Sequence, residues 1–467
     1  MTRFIRARGR WLVLTVVGAL LAAFAFPSAS FADNPTGCDF ASNGTTQSCS
    51  GPLSGSTFAG GDGNLLASPT TFGTTDWQNV AGLNAGFDLP SGTGDNAFGQ
   101  GTKEDSAAVT VVSGSIPPNK SDLSRFYEAS EFANSSNFLY LAWERTNVLG
   151  SANMDFEINQ ATTPSLGTPG AHVINRTAGD LLVTFDFTNG GGRPTLSLLF
   201  WVTSGSTSQC FSSNSLPCWG NHVTLNGTDS IGAVNNLDAV TDPLFPSSPN
   251  YINPVPALQF GETAINLTAA GVFSAGTCEA FGSVFLKSRA SASFTAEVKD
   301  FVAPIPVNIS NCGAVTVTKT AKNHNLGSGQ HALAGATFTV NGVSKTTGSD
   351  GTACFDKLVI GTAYTVTETA APAGYAIDTT SQSVTPTSVA SCTSGTPATV
   401  TFTDSPLTDI SASATSEVLG VTNSTITCVD SSSKNVGNSP QGPGDPVAVS
   451  ANGLKPGTYT CTIVIDP

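Results

Sequence analysis

The stretch "YTVTETAAPAGY", residues 364–375, opens with strict alternation. Side chains on a β-strand point to opposite faces with period two, so Tyr364, Val366 and Glu368 share one face and the intervening threonines share the other. Tyr and Val suit a buried face. An unpaired carboxylate there costs several kcal/mol or takes up a proton. An inward Glu368 therefore requires partners, and the flanking sequence supplies two.

In "AVTVTKTAK" (314–322), Val315, Val317 and Lys319 fall on one face, and in "ATVTFTD" (398–404), Val400, Phe402 and Asp404 do the same. Three apolar strand faces thus each end in one ionisable residue, an amine and two carboxyls. Lys322 is the other amine of the first strand, but it falls on the opposite face.

With "LAGATFTV" (333–340) and "SDGTACFDKL" (349–358), these elements cover nearly all of residues 313–405. The segment resembles the collagen-adhesin B-type, or SpaA-like, domain of bacterial surface proteins and pilins. Gly361-x-x-Tyr364-x-x-x-Glu368-Thr369 followed by Pro372-x-Gly374-Tyr375 carries most of that specificity. The resemblance implies a transthyretin-like (prealbumin-like) sandwich. It also implies an intramolecular isopeptide bond, with Lys319 as amine nucleophile, Asp404 as acyl partner and Glu368 as proton shuttle. Most members carry Asn at the position of Asp404. With Asp, the leaving group is water.

The chemistry suits buried groups. Attack needs a neutral amine and a protonated carboxyl, and burial favours both. A protonated Glu368 can hydrogen-bond the acyl oxygen and relay protons, and enforced contact supplies a high effective molarity. Two arrangements remain open at this level: a covalent Lys319–Asp404 link, or a non-covalent or solvated triad with Cys354–Cys392 as the covalent lock.

Towards the N-terminus, Arg3, Arg6, Arg8 and Arg10 precede the apolar run "WLVLTVVGALLAAFAF" (11–26), and "SFA" precedes Asp33. This order predicts a secretory signal peptide over 1–32 and a mature start at Asp33. No second long apolar run follows, and "CTIVIDP" (461–467) carries no sorting motif of the Leu-Pro-x-Thr-Gly type. The mature chain is expected to be secreted or at the cell surface, with no membrane insertion after signal removal.

Without the four signal arginines the chain keeps 15 basic against 33 acidic residues, a net charge of −18. Such a surface disfavours nucleic acid and anionic membranes as partners. Cys38, Cys49, Cys210, Cys218, Cys278, Cys312, Cys354, Cys392, Cys428 and Cys461 all follow the signal. An even count in an exported chain predicts disulfides. Sequence leaves their connectivity open. Nearest-neighbour pairing would keep each bond inside one segment.

The expected fold class is all-β: a large N-terminal β-sandwich (33–312), the prealbumin-like sandwich (313–405) and a small disulfide-stapled β-domain (406–467). Strand candidates in the first segment include "AAVTVVSG", "NFLYLAWE", "NMDFEINQ", "DLLVTFDFT", "TLSLLFWV" and "SASFTAEVKDF", separated by Gly, Pro and Asn clusters. "PIPVNISNCG" (304–313) reads as the linker out of it, and "SSSKNVGNSPQGPGDP" (431–446) as a turn-rich loop. This segment loosely resembles β-sandwich domains that precede such modules in actinobacterial exported proteins.

Other constellations point to less specific chemistry. Asp155, Glu157 and Asn159 share a strand face, with Glu144 and Asp186 on neighbouring strands. A solvated polar sheet face is expected there, with a Ca²⁺ site as the alternative. No other cofactor is expected. His324 and His331 lie in a predicted surface loop. Trp77, Tyr127, Trp143, Trp201 and Trp219 offer either core packing or a sugar-stacking platform. Neither Gly-x-Ser-x-Gly nor His-Glu-x-x-His occurs. The expected role is non-enzymatic: an exported structural or adhesive surface protein, with an extracellular glycan or matrix protein as possible partner. A secreted carbohydrate-binding protein is the alternative, followed by a secreted hydrolase.

Overall fold

A computed structural model describes residues 52–67, 73–89, 91–92, 94–114, 121–148, 153–162, 166–188, 193–235, 239–273, 276–323, 326–415, 424–439 and 446–465. The expected signal peptide, the start at Asp33, Cys38, Cys49 and His324 lie outside the described residues. The described chain is built from β-strands, and no helix in it is long and apolar enough to cross a membrane.

The first unit contains two sheets. One has five strands in the order Asn84–Phe87, Leu123–Ala133, Ser136–Arg145, Phe260–Asn266, Ser230–Val234. The other has nine and includes Cys218–Thr224, Arg193–Val202, Leu181–Thr188, Asn153–Asn159, Ala280–Arg289, Val298–Ser310 and Asn96–Phe98 as successive neighbours. Phe126, Leu139, Leu141 and Trp143 of the first sheet share a core with Met154, Phe156, Ile158 and Phe185 of the second. The opposite face of the five-stranded sheet is also covered, because Tyr127, Phe138 and Tyr140 pack with Leu53, Phe58, Leu65 and Trp77 from the preceding loops. Burial on both faces explains why "NFLYLAWE" is a nearly continuous apolar run.

Residues 313–405 fold as two facing sheets. Cys312–Lys322 pairs antiparallel with Gln330–Ala332 and Thr352–Val359, and parallel with Ala398–Pro406. The facing sheet runs Val343–Thr346, Thr337–Val340, Tyr364–Ala370, Gln382–Val384. Val315, Val317, Phe338, Val340, Tyr364, Val366, Val400 and Phe402 form the core between them. The burial of Tyr364–Ala370 alternates as its sequence does, with Tyr364, Val366 and Glu368 inward. In the last unit, Thr408–Ala414 pairs with Val447–Leu454, and Asn435–Asn438, Thr425–Val429 and Thr460–Val464 form a second small sheet.

Among the described residues four disulfides join nearest neighbours: Cys210–Cys218, Cys278–Cys312, Cys354–Cys392 and Cys428–Cys461. The last links directly opposed residues of adjacent strands.

Three sequence expectations need correction. Residues 304–310 are not a linker but the end of the strand Val298–Ser310, which stays paired with Ala280–Arg289. Its prolines are tolerated because the register shifts beside them. "SASFTAEVKDF" is a strand only from Val298. Its Ser/Thr-rich half closes a turn, with Ser293 and Thr295 hydroxyls 2.9 Å apart and Ala290 N–H donating to Glu297 O. Finally, the loop 431–446 contains the short strand Asn435–Asn438, which is paired with Thr425–Val429.

Candidate functional site: a buried lysine between two carboxylates

Parallel pairing of the first and last strands sets the site. Lys319 lies opposite Phe402, and Ala321 opposite Asp404, so Lys319 and Asp404 are diagonal neighbours on one inward face. Glu368 comes from the facing sheet, opposite Phe338. The Lys319 strand is fixed by the turn at Gly351. Lys319 N–H donates to Gly351 O over 2.7 Å, and Gly351 adopts φ +73°. A Cβ on Gly351 would meet Lys319 O at 2.7 Å, so glycine is required there on both counts.

All three ionisable side chains are buried, with Lys319 at 0% exposure, Asp404 at 2% and Glu368 at 3%. Lys319 Nζ donates to Glu368 Oε2 over 2.7 Å and to Asp404 Oδ1 in a very short contact. The Phe338 and Phe402 rings stand 5.6 and 5.8 Å from Nζ and close the apolar wall. Asp378 N–H donates to Glu368 Oε2 over 3.0 Å. Glu368 Oε1 and Asp404 Oδ2 have no hydrogen-bond partner. Burial pushes the Glu368 carboxyl above its ordinary range, and the Lys319 hydrogen bond opposes that rise. Lys322 is exposed and takes no part. Phe402 shares its strand face with Asp404 already in the sequence, whereas Asp378 and Phe338 carry no such signal and are recruited by sheet packing.

The large unit contains a second buried ionic group, which corrects the expected solvated sheet face. Asp155, Glu157 and Asn159 are fully buried. Arg289 binds both Asp155 oxygens, at 2.6 and 3.0 Å, and also contacts Asp186. Arg176 binds both Glu157 oxygens at 2.8 Å, and Lys287 bridges Glu157 and Glu104. Three cations therefore sit where a Ca²⁺ would have to stand, so this oxygen cluster is not a metal site. Glu144 belongs to a different group, with Arg125 at 3.2 Å. Lys287 and Arg289 alternate on the strand beside Asp155 and Glu157. That complementary period was the available signal, but strand adjacency is not visible in sequence.

Burial would raise the Glu157 carboxyl, but Arg176 and Lys287 outweigh it and hold the group down to about 2. A depressed carboxyl contributes stability that is complete above its ordinary value and is lost as pH falls through the folded value. Denaturant midpoints should therefore fall between pH of about 4.5 and about 2, and Glu157→Gln should flatten that part of the curve. An unchanged acid limb in the variant would show that Glu157 is not held this way.

The aromatic platform is also corrected. Trp77, Tyr127, Trp143 and Trp219 are fully buried and Trp201 nearly so. They pack inside the unit, and Trp201 and Trp219 stack on Arg176. None offers a face to a sugar. His331 lies in the short strand Gln330–Ala332 and not in a loop.

Comparison with known proteins identifies residues 313–403 as a prealbumin-like fold domain of the SpaA family. No curated protein matches the chain. Similar solved structures include the Bacillus anthracis TIE protein (14% identity, TM-score 0.25, covering 76% of this chain and 52% of that one). They also include the group B streptococcus pilus 2b backbone protein (15%, 0.24, 67% and 97%) and the full-length major pilin SpaD from Corynebacterium diphtheriae (11%, 0.21, 69% and 65%). The chain spans about half the length of the Bacillus protein.

Proposed function

Because residues 313–403 form an SpaA-type prealbumin-like domain, we propose that the chain is an exported structural surface protein of the pilin or adhesin type. In this reading its middle domain is locked by a Lys319–Asp404 isopeptide bond. The observation that carries it is the buried contact of Lys319 Nζ with both Asp404 and Glu368. Asp404 Oδ2 is buried without a hydrogen-bond partner, so no donor has to be displaced when that oxygen leaves.

The reaction balances without any co-reactant. Lys319 starts as an ammonium and Asp404 as a carboxylate. Glu368 accepts a proton from Nζ and passes it to the Asp404 carboxyl. The neutral amine attacks Cγ, a C–N bond forms and one C–O bond breaks. Of the three ammonium protons, one stays on the amide and two leave with the departing oxygen as water. Glu368 returns to its starting state, so it acts as a proton carrier. The apolar walls exclude bulk water, and the two strands hold the reacting groups in contact.

Proteolysis of the reduced, unfolded protein should release one branched peptide joining the Lys319 and Asp404 segments, identifiable by tandem mass spectrometry. Recovery of only the two linear peptides would sink the covalent reading.

A further inference from the structure

A third group of acids, half-buried at Asp88 and buried at the others, has no cation beside it. Asp88 follows the strand Asn84–Phe87, and Asp122 precedes Leu123–Ala133, both in the five-stranded sheet. Asp95 precedes Asn96–Phe98, and Asp300 lies in Val298–Ser310, both in the nine-stranded sheet. One carboxylate oxygen from each of Asp88, Asp95 and Asp300 lies within 4.8 Å of the others. Asp95 and Asp300 are 1% and 0% exposed.

Asp122 provides an independent observation. It lies outside that trio, is 4% exposed, and its charge acts on all three. Its Oδ2 accepts from Thr146 Oγ1 over 2.8 Å, while its Oδ1 is buried with no partner. Asp88 Oδ2, both Asp95 oxygens and Asp300 Oδ1 are likewise unpartnered. Among the described residues no lysine or arginine pairs with any of the four, and no hydrogen bond joins two of them. The other acid clusters differ. Glu262 accepts from Trp77 Nε1–H and two backbone amides, and the Asp155 group holds Arg289.

We propose that Asp88, Asp95 and Asp300, with Asp122 beside them, form a Ca²⁺ site that ties the two sheets of the large unit together. An all-oxygen, carboxylate-rich set selects a hard cation over zinc or copper. Ca²⁺ takes 6–8 oxygens at roughly 2.3–2.6 Å, so opposite ligands stand roughly 5 Å apart, a span that accommodates the trio. Mg²⁺ demands shorter bonds and normally uses one or two carboxylates. The protein already joins the sheets here once, because Leu123 N–H donates to Asp300 Oδ2 over 2.8 Å. Burial pushes all four carboxyls up, and repulsion from neighbouring acids adds to it at Asp88, Asp95 and Asp300, taking Asp88 to about 9 and Asp95 to about 6. A bound dication would relieve that repulsion.

Chelator-stripped full chain should be titrated with Ca²⁺ by equilibrium dialysis, with thermal melting in parallel. One Ca²⁺ per chain and a Tm that rises with Ca²⁺ concentration are expected. Asp95→Asn keeps the shape of the side chain and an oxygen that can accept from the Asn96 backbone, and so should fold. It should weaken binding by at least the ~10–100-fold that losing an outer-shell partner costs. Asp300→Asn should do the same, and the exposed Asp356→Asn should change nothing. No bound Ca²⁺ with an unchanged Tm, or undiminished binding in Asp95→Asn, would overturn the site. Equal stabilisation by Mg²⁺ would overturn its assignment to Ca²⁺.

Discussion

The exported protein, once reduced, should weigh one water less than its processed sequence, and Lys319→Ala or Asp404→Ala should each restore that water. Both residues are wholly enclosed and in contact, so Lys319→Ala leaves no substitute amine in reach, and Asp404→Ala leaves only the proton-carrying Glu368 beside Nζ. Glu368→Gln keeps the shape but cannot carry the proton, so it should abolish the loss or slow it greatly. The stability effect should be large for two separate reasons. A link between positions 85 residues apart restricts the unfolded chain by roughly 4–5 kcal/mol in the loop-closure model. Removing Lys319 also strands two buried carboxyls, and breaking a buried ion pair costs about 3–5 kcal/mol. Reduction of Cys354–Cys392 should leave the wild-type domain more resistant to denaturant than Lys319→Ala. A full wild-type mass with no missing water would leave that disulfide as the covalent lock of the domain.

The second large effect is expected at Arg289. Arg289→Met should cost about 3–5 kcal/mol, because it leaves Asp155 buried with neither of its guanidinium hydrogen bonds. Asp186 is partly exposed and can turn to solvent, whereas Asp155 cannot. Burial already raises the Asp155 carboxyl to about 7 with Arg289 present, so in the variant it should take up a proton. The double variant Arg289→Met/Asp155→Leu should recover much of the loss, since apolar groups of similar volume can replace a buried ion pair. Denaturant unfolding of the three proteins measures this directly. A loss below about 1 kcal/mol for Arg289→Met would be the behaviour of an exposed pair and would contradict the buried network.

Sequence alone determined the all-β class, the prealbumin-like domain and the inward placement of Lys319, Glu368 and Asp404. The class and the inward placement follow from strand alternation, a local property in which one wrong register would turn every apolar residue outward. The domain, by contrast, is legible only through the motif Gly361-x-x-Tyr364-x-x-x-Glu368-Thr369 by which it resembles the SpaA-like family. Nearest-neighbour disulfides were attractive on a different ground, that each bond then stays inside one segment. Tertiary structure decided whatever depended on which strands lie side by side. Parallel pairing of the first and last strands makes Lys319 and Asp404 neighbours across 85 residues, and the facing sheet brings Glu368 to them. The acidic face of Asn153–Asn159 looked solvent-facing because polarity is a local signal. Lys287 and Arg289 come from a strand more than a hundred residues later, and loops carry Glu104 and Arg176 over the top. The tryptophans were ambiguous for a related reason: an aromatic side chain packs equally well against a core or a sugar, and only the covering layer distinguishes the two. Asp88, Asp95, Asp122 and Asp300 carry no local pattern at all. They meet because two sheets close on each other, and burial then turns four ordinary surface-type residues into a site that calls for a cation.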